Sequence, residues 1–143
     1  MKIESKPRII LDTNVLISAA LFHRSVSADA LEKALDQFEL VFTLATWDEL
    51  AAVIMREKIC RYLTPQAQHL YLAKLASMVE VIESHTQVTD CRDPKDNKFL
   101  ALAIDAQAVG IVTGDKDLLA LHPYRSLSIC TPADFLVSGF AIH

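Results

Sequence analysis

Four carboxylates lie at positions where a strand ends or a helix begins in the predicted secondary structure. Asp12 and Asp115 each follow an apolar run of strand character, and Glu49 and Asp96 each lie near the start of a predicted helix. In a parallel sheet, the carboxyl ends of the strands and the helix starts that follow them share one edge, where ligands bind in open α/β folds. The sequence therefore predicts that these four acids converge.

A cluster of this kind favours divalent cations. Two carboxylates about 4 Å apart repel each other by roughly 4 kcal/mol at an effective dielectric constant of 20, so the cluster is tolerable when cations neutralise it. Oxygen ligands without cysteine or patterned histidine point to Mg²⁺ or Mn²⁺. The three cysteines are an odd number at wide spacing, which fits neither a disulfide framework nor a zinc site.

Two of the acids also have a purely structural interpretation. Asp12 could cap the helix that begins near Asn14, although Thr13 could serve that purpose instead. Glu49 is the third residue after Thr46, so the two could form a capping box at a helix start. On a helical wheel, Glu49 also lies at the margin of the apolar face, where a site residue could project.

The acids near Asp96 occupy different positions on one predicted helix, and these positions imply different roles. Asp93 fits the N-cap and Pro94 the first helical position. Asp96 then shares the inward face of the helix, whereas Asp105 lies about 180° away and is expected to face solvent. Asp96 is therefore the acid of this segment that is available for chemistry.

The acids that follow the fourth predicted strand leave two interpretations open. Asp115 could be a turn residue and Asp117 a helix cap, or Asp115 could belong to the acidic cluster. A phosphoacceptor receiver domain also gathers acids and Mg²⁺ at strand ends. It would need an acid pair after its first strand, where Asp12 stands alone, and a Lys after a late strand, where Lys116 lies between two acids.

Strands that alternate with helices predict crossover connections and a parallel sheet of about five strands, covered on both faces in an α/β fold. The length of 143 residues fits one domain, residues 1–143. The predicted strands are 8–11, 39–43, 79–82, 110–113 and 127–130. The predicted helices begin near residues 14, 27, 46, 65, 94, 118 and 132.

The net charge and the hydrophobicity of the chain limit the classes of function that it can have. The net charge of −4 is not the basic pattern of a general nucleic-acid binder. No apolar run reaches the length of a membrane span, and the first seven residues lack the apolar core of a signal peptide, so we expect a cytoplasmic protein without a membrane partner. The hydrophobic fraction of 52% is high for one small domain, which favours a partner surface and predicts a homodimer.

Four motifs, in this order, resemble the PIN domain family over nearly the whole chain. They are Leu11-Asp12-Thr13-Asn14, the segment 47–54 around Glu49, Asp93-Pro94-Lys95-Asp96-Asn97, and the segment 112–119 around Asp115. The sequence looks most similar to bacterial PIN proteins described as toxin components of toxin–antitoxin pairs. The resemblance implies a three-layer α/β/α fold, metal-dependent endoribonuclease activity, an RNA substrate and an antitoxin partner.

The resemblance also assigns residues. It implies that the acidic ligands of the metal are Asp12, Glu49, Asp96 and Asp115. Asp117 falls where some members carry an additional acid, and Asn14 and Thr113 fall on polar positions that support the site. The alternative is a catalytically silent PIN-like module that binds RNA or protein without cutting.

No RNA-binding residue is assigned from the sequence. Treated as one α-helix, the segment 56–61 directs Arg56 about 140–160° away from Lys58 and Arg61, which favours a solvated face. Basic residues in loops at the proposed metal edge are better placed. These are Arg24, Lys95 and Lys116.

Overall fold

The computed structural model of the protein describes residues 5–138 and 140. Residues 1–4, 139 and 141–143 of the predicted 1–143 domain lie outside the described residues. A parallel sheet of five strands runs through the centre, in the order β3-β2-β1-β4-β5. The strands are β1 (Arg8–Leu11), β2 (Glu39–Phe42), β3 (Glu80–Val81), β4 (Gly110–Val112) and β5 (Ser128–Cys130).

Helices connect the strands and cover both faces of the sheet, which confirms the predicted α/β architecture. The α-helices are α1 (Thr13–Leu21), α2 (Val26–Gln37), α3 (Leu44–Ile54), α4 (Pro65–Ala76), α5 (Asn97–Ala106), α6 (Lys116–Leu119) and α7 (Pro132–Val137). Two 3-10 helices, Glu57–Arg61 and Pro94–Asp96, follow α3 and precede α5. None of the helices in the described ranges is both long enough and apolar enough to span a bilayer.

Strand β1 shows why the sheet is buried on both faces. Successive side chains of a strand point to opposite faces, so Ile9 and Leu11 join one apolar cluster and Ile10 joins the other. The first cluster includes side chains from α1, α2, α3 and α7, and the second includes side chains from α5 and α6. These three of the four residues of β1 are almost fully buried, so the sheet to which β1 belongs forms the middle layer of a three-layer α/β/α structure.

Helix α3 begins three residues earlier than a capping box with Thr46 as its N-cap requires. Strand β2 ends at Phe42, and the hydroxyl of Thr43 accepts a hydrogen bond from the Thr46 N–H at 3.2 Å. In return, the hydroxyl of Thr46 accepts one from the Thr43 N–H at 3.0 Å. Thr43 is therefore the N-cap, and Glu49 lies in the second turn of α3 rather than at its start. The prediction that Glu49 completes a capping box is wrong.

Candidate functional site

Asp12 occupies the carboxyl end of the central strand and is only 4% exposed. Its Oδ1 accepts a hydrogen bond from the Asn14 N–H at 2.6 Å, which makes Asp12, rather than Thr13, the N-cap of α1. Its Oδ2 accepts a hydrogen bond from the hydroxyl of Thr113. Burial raises the pKa of this carboxyl, and the negative charge of Asp115 raises it further. Because each carboxyl oxygen of Asp12 accepts a hydrogen bond, both oxygens are held in fixed positions.

Thr113 connects Asp12 to the next acid in space. Its buried hydroxyl donates to Asp12 and accepts a hydrogen bond from the Asp115 N–H at 2.9 Å. Asp115 caps α6, because its Oδ1 accepts from the N–H groups of Asp117 and Leu118 at 2.7 and 3.3 Å. Asp115 is therefore the helix cap, and Asp117 lies half-buried in the first turn of α6.

Asp96 lies at the start of α5 and makes no capping hydrogen bond with its side chain. Its Oδ2 is buried and has no hydrogen-bond partner among the described residues. Burial is the largest cause that raises the pKa of Asp96 to about 7, and the neighbouring carboxyl of Asp115 is the next. The negative charges of Asp93 and Asp12 raise this pKa further, so the acids lie close enough to repel one another.

Glu49 approaches this group from α3. Its Oε2 accepts a hydrogen bond from the hydroxyl of Thr13 at 2.5 Å, and its Oε1 forms an ion pair with Lys98 Nζ at 2.9 Å. Thr13 is adjacent to Asp12 in the chain, so Glu49 lies at the same edge of the sheet. Its charge is balanced by a lysine rather than shared with the other acids.

The structure therefore gathers Asp12, Asp96 and Asp115 and places Glu49 beside them. Within residues 5–138 and 140, no group of three or more His, Cys, Asp or Glu side chains has a geometry that could hold a metal ion. The chemistry of the group still fits a hard divalent cation, because its donors are oxygen atoms and the buried Asp96 Oδ2 has no partner. A cation would also offset the repulsion that raises the pKa of Asp96.

Two side chains that contact the site, Thr13 and Lys98, are not among the predicted site residues. The hydroxyl of Thr13, directly after Asp12 in the sequence, is a signal that could have identified it. Lys98 lies two residues after Asp96, in the first turn of α5, where a positive charge is unfavourable for the helix dipole. Asn14 supports Asp12 through its backbone N–H.

The basic residues expected at this edge are only partly confirmed there. Lys95 belongs to the 3-10 helix that ends at Asp96, and Lys116 is the first residue of α6, so both lie at the acidic edge. Arg24 follows α1, whose nine residues carry the chain roughly 13 Å away from Asp12 at 1.5 Å per residue. Arg24 is therefore separated from Asp12 by the length of α1.

Comparison with known proteins identifies relatives of the whole fold. An uncharacterized protein of Methanocaldococcus jannaschii is 28% identical over 141 residues, which span 92% of this chain and 90% of that protein. The crystal structure of VapBC2 from Rickettsia felis, bound to a DNA fragment from their promoter, includes a chain that matches with a TM-score of 0.60 and 15% identity. The match covers 85% of this chain and 96% of that one.

A second solved structure, PAE2754 from Pyrobaculum aerophilum, matches with a TM-score of 0.59 and 18% identity, over 92% of this chain and 88% of that one. The sequence profile of the PIN domain matches residues 8–117, a range that starts at β1 and ends inside α6. PIN domains are generally nucleases that use divalent metals. From the extent of this match we conclude that the chain belongs to the PIN domain family.

Proposed function

We propose that the protein is a metal-dependent endoribonuclease that hydrolyses RNA phosphodiester bonds, with residues 1–143 as one functional domain. The observation that carries this proposal is the buried Oδ2 of Asp96, which has no hydrogen-bond partner among the described residues and lies beside the carboxyls of Asp115 and Asp12. An arrangement of this kind is a disadvantage to the metal-free fold, since like charges are held together and Asp96 Oδ2 has no donor among the described residues. Its retention is explained by a cation that the acids bind.

In this proposal the acidic residues hold Mg²⁺ or Mn²⁺, which supplies a water of lowered pKa and neutralises charge on the phosphate. The proposed ligands are Asp12, Glu49, Asp96 and Asp115. Asp117 is an additional acid in the first turn of α6, the helix that Asp115 caps. Thr113 orients Asp12 and Asp115, because its hydroxyl bonds to both residues. Asn14 fixes the other oxygen of Asp12 through its backbone N–H.

Glu49 would hold the cation with the lone pairs that its present contacts leave free, because each carboxylate oxygen has two. Lys98 contacts Oε1 and Thr13 contacts Oε2, so the carboxylate is oriented while its charge is balanced. Lys98 is a flexible cation at the same edge and could pair with a substrate phosphate instead. The charge of Glu49 would then be available to the cation.

Cleavage of mixed RNA, with Mg²⁺ or Mn²⁺ against EDTA, tests this proposal. We expect Asn at Asp12, Asp96 or Asp115, and Gln at Glu49, each to lower the rate by about 100-fold or more with the fold intact by circular dichroism. The matched control is Asp48→Asn, which removes an exposed acid from the same helix as Glu49 and should cleave normally.

Each outcome distinguishes between the proposed enzyme and its alternatives. If Glu49→Gln cleaves normally and only melts earlier, Glu49 is a structural partner of Thr13 and Lys98. If the unmutated protein binds RNA but leaves it uncut with either metal, the catalytically silent module is correct. Normal cleavage by Asp12→Asn would show that the acidic edge of the sheet is not the active site.

We also propose that the protein is the toxin component of a toxin–antitoxin pair and forms a homodimer. An apolar groove of about 340 Å³ between α2 and α4 supports a protein partner. It is lined by Leu31 and Leu35 on one side and by Leu75 and Met78 on the other. A helix with one apolar face fits a groove of this kind, and we assign it to the antitoxin.

A further inference from the structure

A second groove, of about 460 Å³, begins beside the acidic residues and is lined by α1, α3 and the 3-10 helix Glu57–Arg61. On α1 its wall is formed by Asn14, Ile17 and Leu21, which recur at helical spacing and share one face. The backbone N–H of Asn14 is bonded to Asp12, so one end of the groove adjoins the acidic site.

The opposite wall of this groove also begins near the acidic site. Val53 of α3 lines the groove and lies one helical turn after Glu49, on the same face. The hydrogen bond between Thr13 and Glu49 joins the two helices at the acidic end. From there the groove extends roughly 10 Å along α1, from Asn14 to Leu21, at 1.5 Å per residue. A ligand that lies along the groove therefore has one end at the acidic site.

The far part of the groove carries three cations, Arg56, Lys58 and Arg61. All three are exposed, and none forms an ion pair within the described part of the chain. The expectation that Arg56 points away from the other two is wrong, because α3 ends at Ile54 and the chain turns into a 3-10 helix. The change of helix type brings all three cations to one groove.

Aromatic rings accompany these cations. Tyr62 follows the 3-10 helix and lines the groove with 57% of its surface exposed. Phe22, at the end of α1, is 51% exposed and contacts Tyr62 edge to face, with ring centroids 5.8 Å apart. Ile17, Val53 and Ile59 add apolar lining beneath. Cations beside exposed aromatic rings are the combination by which proteins bind single-stranded nucleic acid.

We propose that this groove binds a single-stranded segment of the RNA substrate and leads it to the acidic site. Arg56, Lys58 and Arg61 hold phosphates, and Tyr62, supported by Phe22, stacks on a base. The proposal rests on the proposed function and names where its substrate lies. A cationic groove within a chain of net charge −4 is a local reversal of charge, which favours a polyanion.

Equilibrium binding of a short fluorescent single-stranded RNA of mixed sequence tests the groove in EDTA, where the proposed cleavage does not occur. Fluorescence anisotropy is measured over a series of salt concentrations. For Tyr62→Ala we expect the Kd to rise at least about fivefold through lost stacking. For the triple variant Arg56→Gln, Lys58→Gln and Arg61→Gln we expect the salt slope to fall by about two, since each lost phosphate contact removes about 0.7.

The matched control is Lys6→Gln, an exposed lysine that precedes β1 and lies at the opposite edge of the sheet. It should leave both the Kd and the salt slope unchanged. If the control weakens binding as much as the groove variants do, binding follows overall charge and the groove is not the site.

The remaining outcomes separate the groove from the proposed enzyme. If the protein cleaves RNA but the groove variants bind like the unmutated protein, or if no RNA binds in EDTA, the groove proposal is overturned. If the groove variants weaken binding but the unmutated protein cuts nothing with Mg²⁺ or Mn²⁺, the groove stands and the nuclease proposal fails. If polyglutamate displaces the RNA as effectively as unlabelled RNA and Tyr62→Ala has no effect, the groove is an acidic-peptide site.

Discussion

The acidic residues differ in how well the metal-free fold satisfies them. Asp12 and Asp115 accept hydrogen bonds from nearby hydroxyl and N–H groups, whereas Asp96 Oδ2 accepts none among the described residues. The pKa of Asp96 is raised to about 7, above its ordinary value near 3.9. Because the folded state favours the protonated form, ionising Asp96 destabilises the folded protein.

Asp96→Asn should therefore stabilise the metal-free protein in a pH-dependent way. Below about pH 4, Asp96 is protonated in both the folded and unfolded states, so its charge contributes nothing. The penalty develops as the pH rises from about 4 to 7 and is complete above the folded pKa. Above pH 7 we expect the variant to be more stable by about 1 kcal/mol, allowing for solvent screening of a half-buried group. Thermal melts in EDTA at both ends of this range measure the difference.

Metal should reverse the order of the two proteins. Mn²⁺ at a hundred times its Kd stabilises the unmutated protein by about 2.7 kcal/mol through mass action, and Asp96→Asn should gain much less. The control Asp48→Asn should gain as much as the unmutated protein. A variant that is less stable in EDTA, with no Mn²⁺ effect on either protein, would show that Asp96 is a structural acid and that the metal site is wrong.

At the scale of elements, Asp105 has a structural function that its predicted solvent-facing position did not suggest. It lies on α5 and accepts hydrogen bonds from the Ser84 hydroxyl, from the hydroxyl and N–H of Thr86, and from the N–H of His85. The Ser84 hydroxyl is the largest cause that holds the pKa of Asp105 below its usual range. Asp105 thereby fixes the segment after β3 to α5.

Asp105→Ala should loosen that segment without unfolding the protein. Its contribution is present above the ordinary Asp pKa near 3.9 and is lost only as the pH falls through the lower folded value. Near neutral pH we expect a loss of about 1 kcal/mol, since the hydrogen bonds are partly exposed. Amide hydrogen exchange should accelerate at His85 and Thr86, while amides of β1 should stay protected. Unchanged exchange at His85 and Thr86 would show that the segment is held by other contacts.

At the scale of the whole molecule, both faces of the sheet are covered, yet large apolar side chains remain at the surface. Leu70 on α4 and Val137 on α7 are largely exposed, and the groove between α2 and α4 is apolar. Exposed apolar side chains together with an apolar groove favour an interaction site on this protein. The helices around the sheet therefore complete a core and still present surface for partners.

We expect light scattering to show a homodimer at tens of micromolar, because dimerisation removes exposed apolar side chains from water. Leu35→Glu, in the groove assigned to the antitoxin, should leave the dimer intact and weaken capture of a helical peptide with one apolar face. A strict monomer at this concentration would contradict the proposed dimer. Unchanged capture by Leu35→Glu would remove the groove from the antitoxin interface.

The order of strands and helices follows from local patterns in the sequence, as do the ends of the strands that carry the acids. An apolar run that ends on polar residues is a local signal. The positions of Asp12 and Asp115 after β1 and β4 could therefore be predicted from a few neighbouring residues. The same local logic identified Asp93 as a cap and Pro94 as the first residue of a helical turn.

Contacts between residues far apart in the chain depend on tertiary packing, and so does the type of helix that a segment adopts. Thr43 and Thr46 are both good caps, and the end of β2, set by its pairing in the sheet, decided that α3 begins after Thr43. The contacts of Glu49 with Thr13 and Lys98 join residues 36 and 49 positions apart, which no local pattern encodes. The physical reason is that hydrogen bonds and charges act over a few ångströms in space, and packing decides which distant residues come that close.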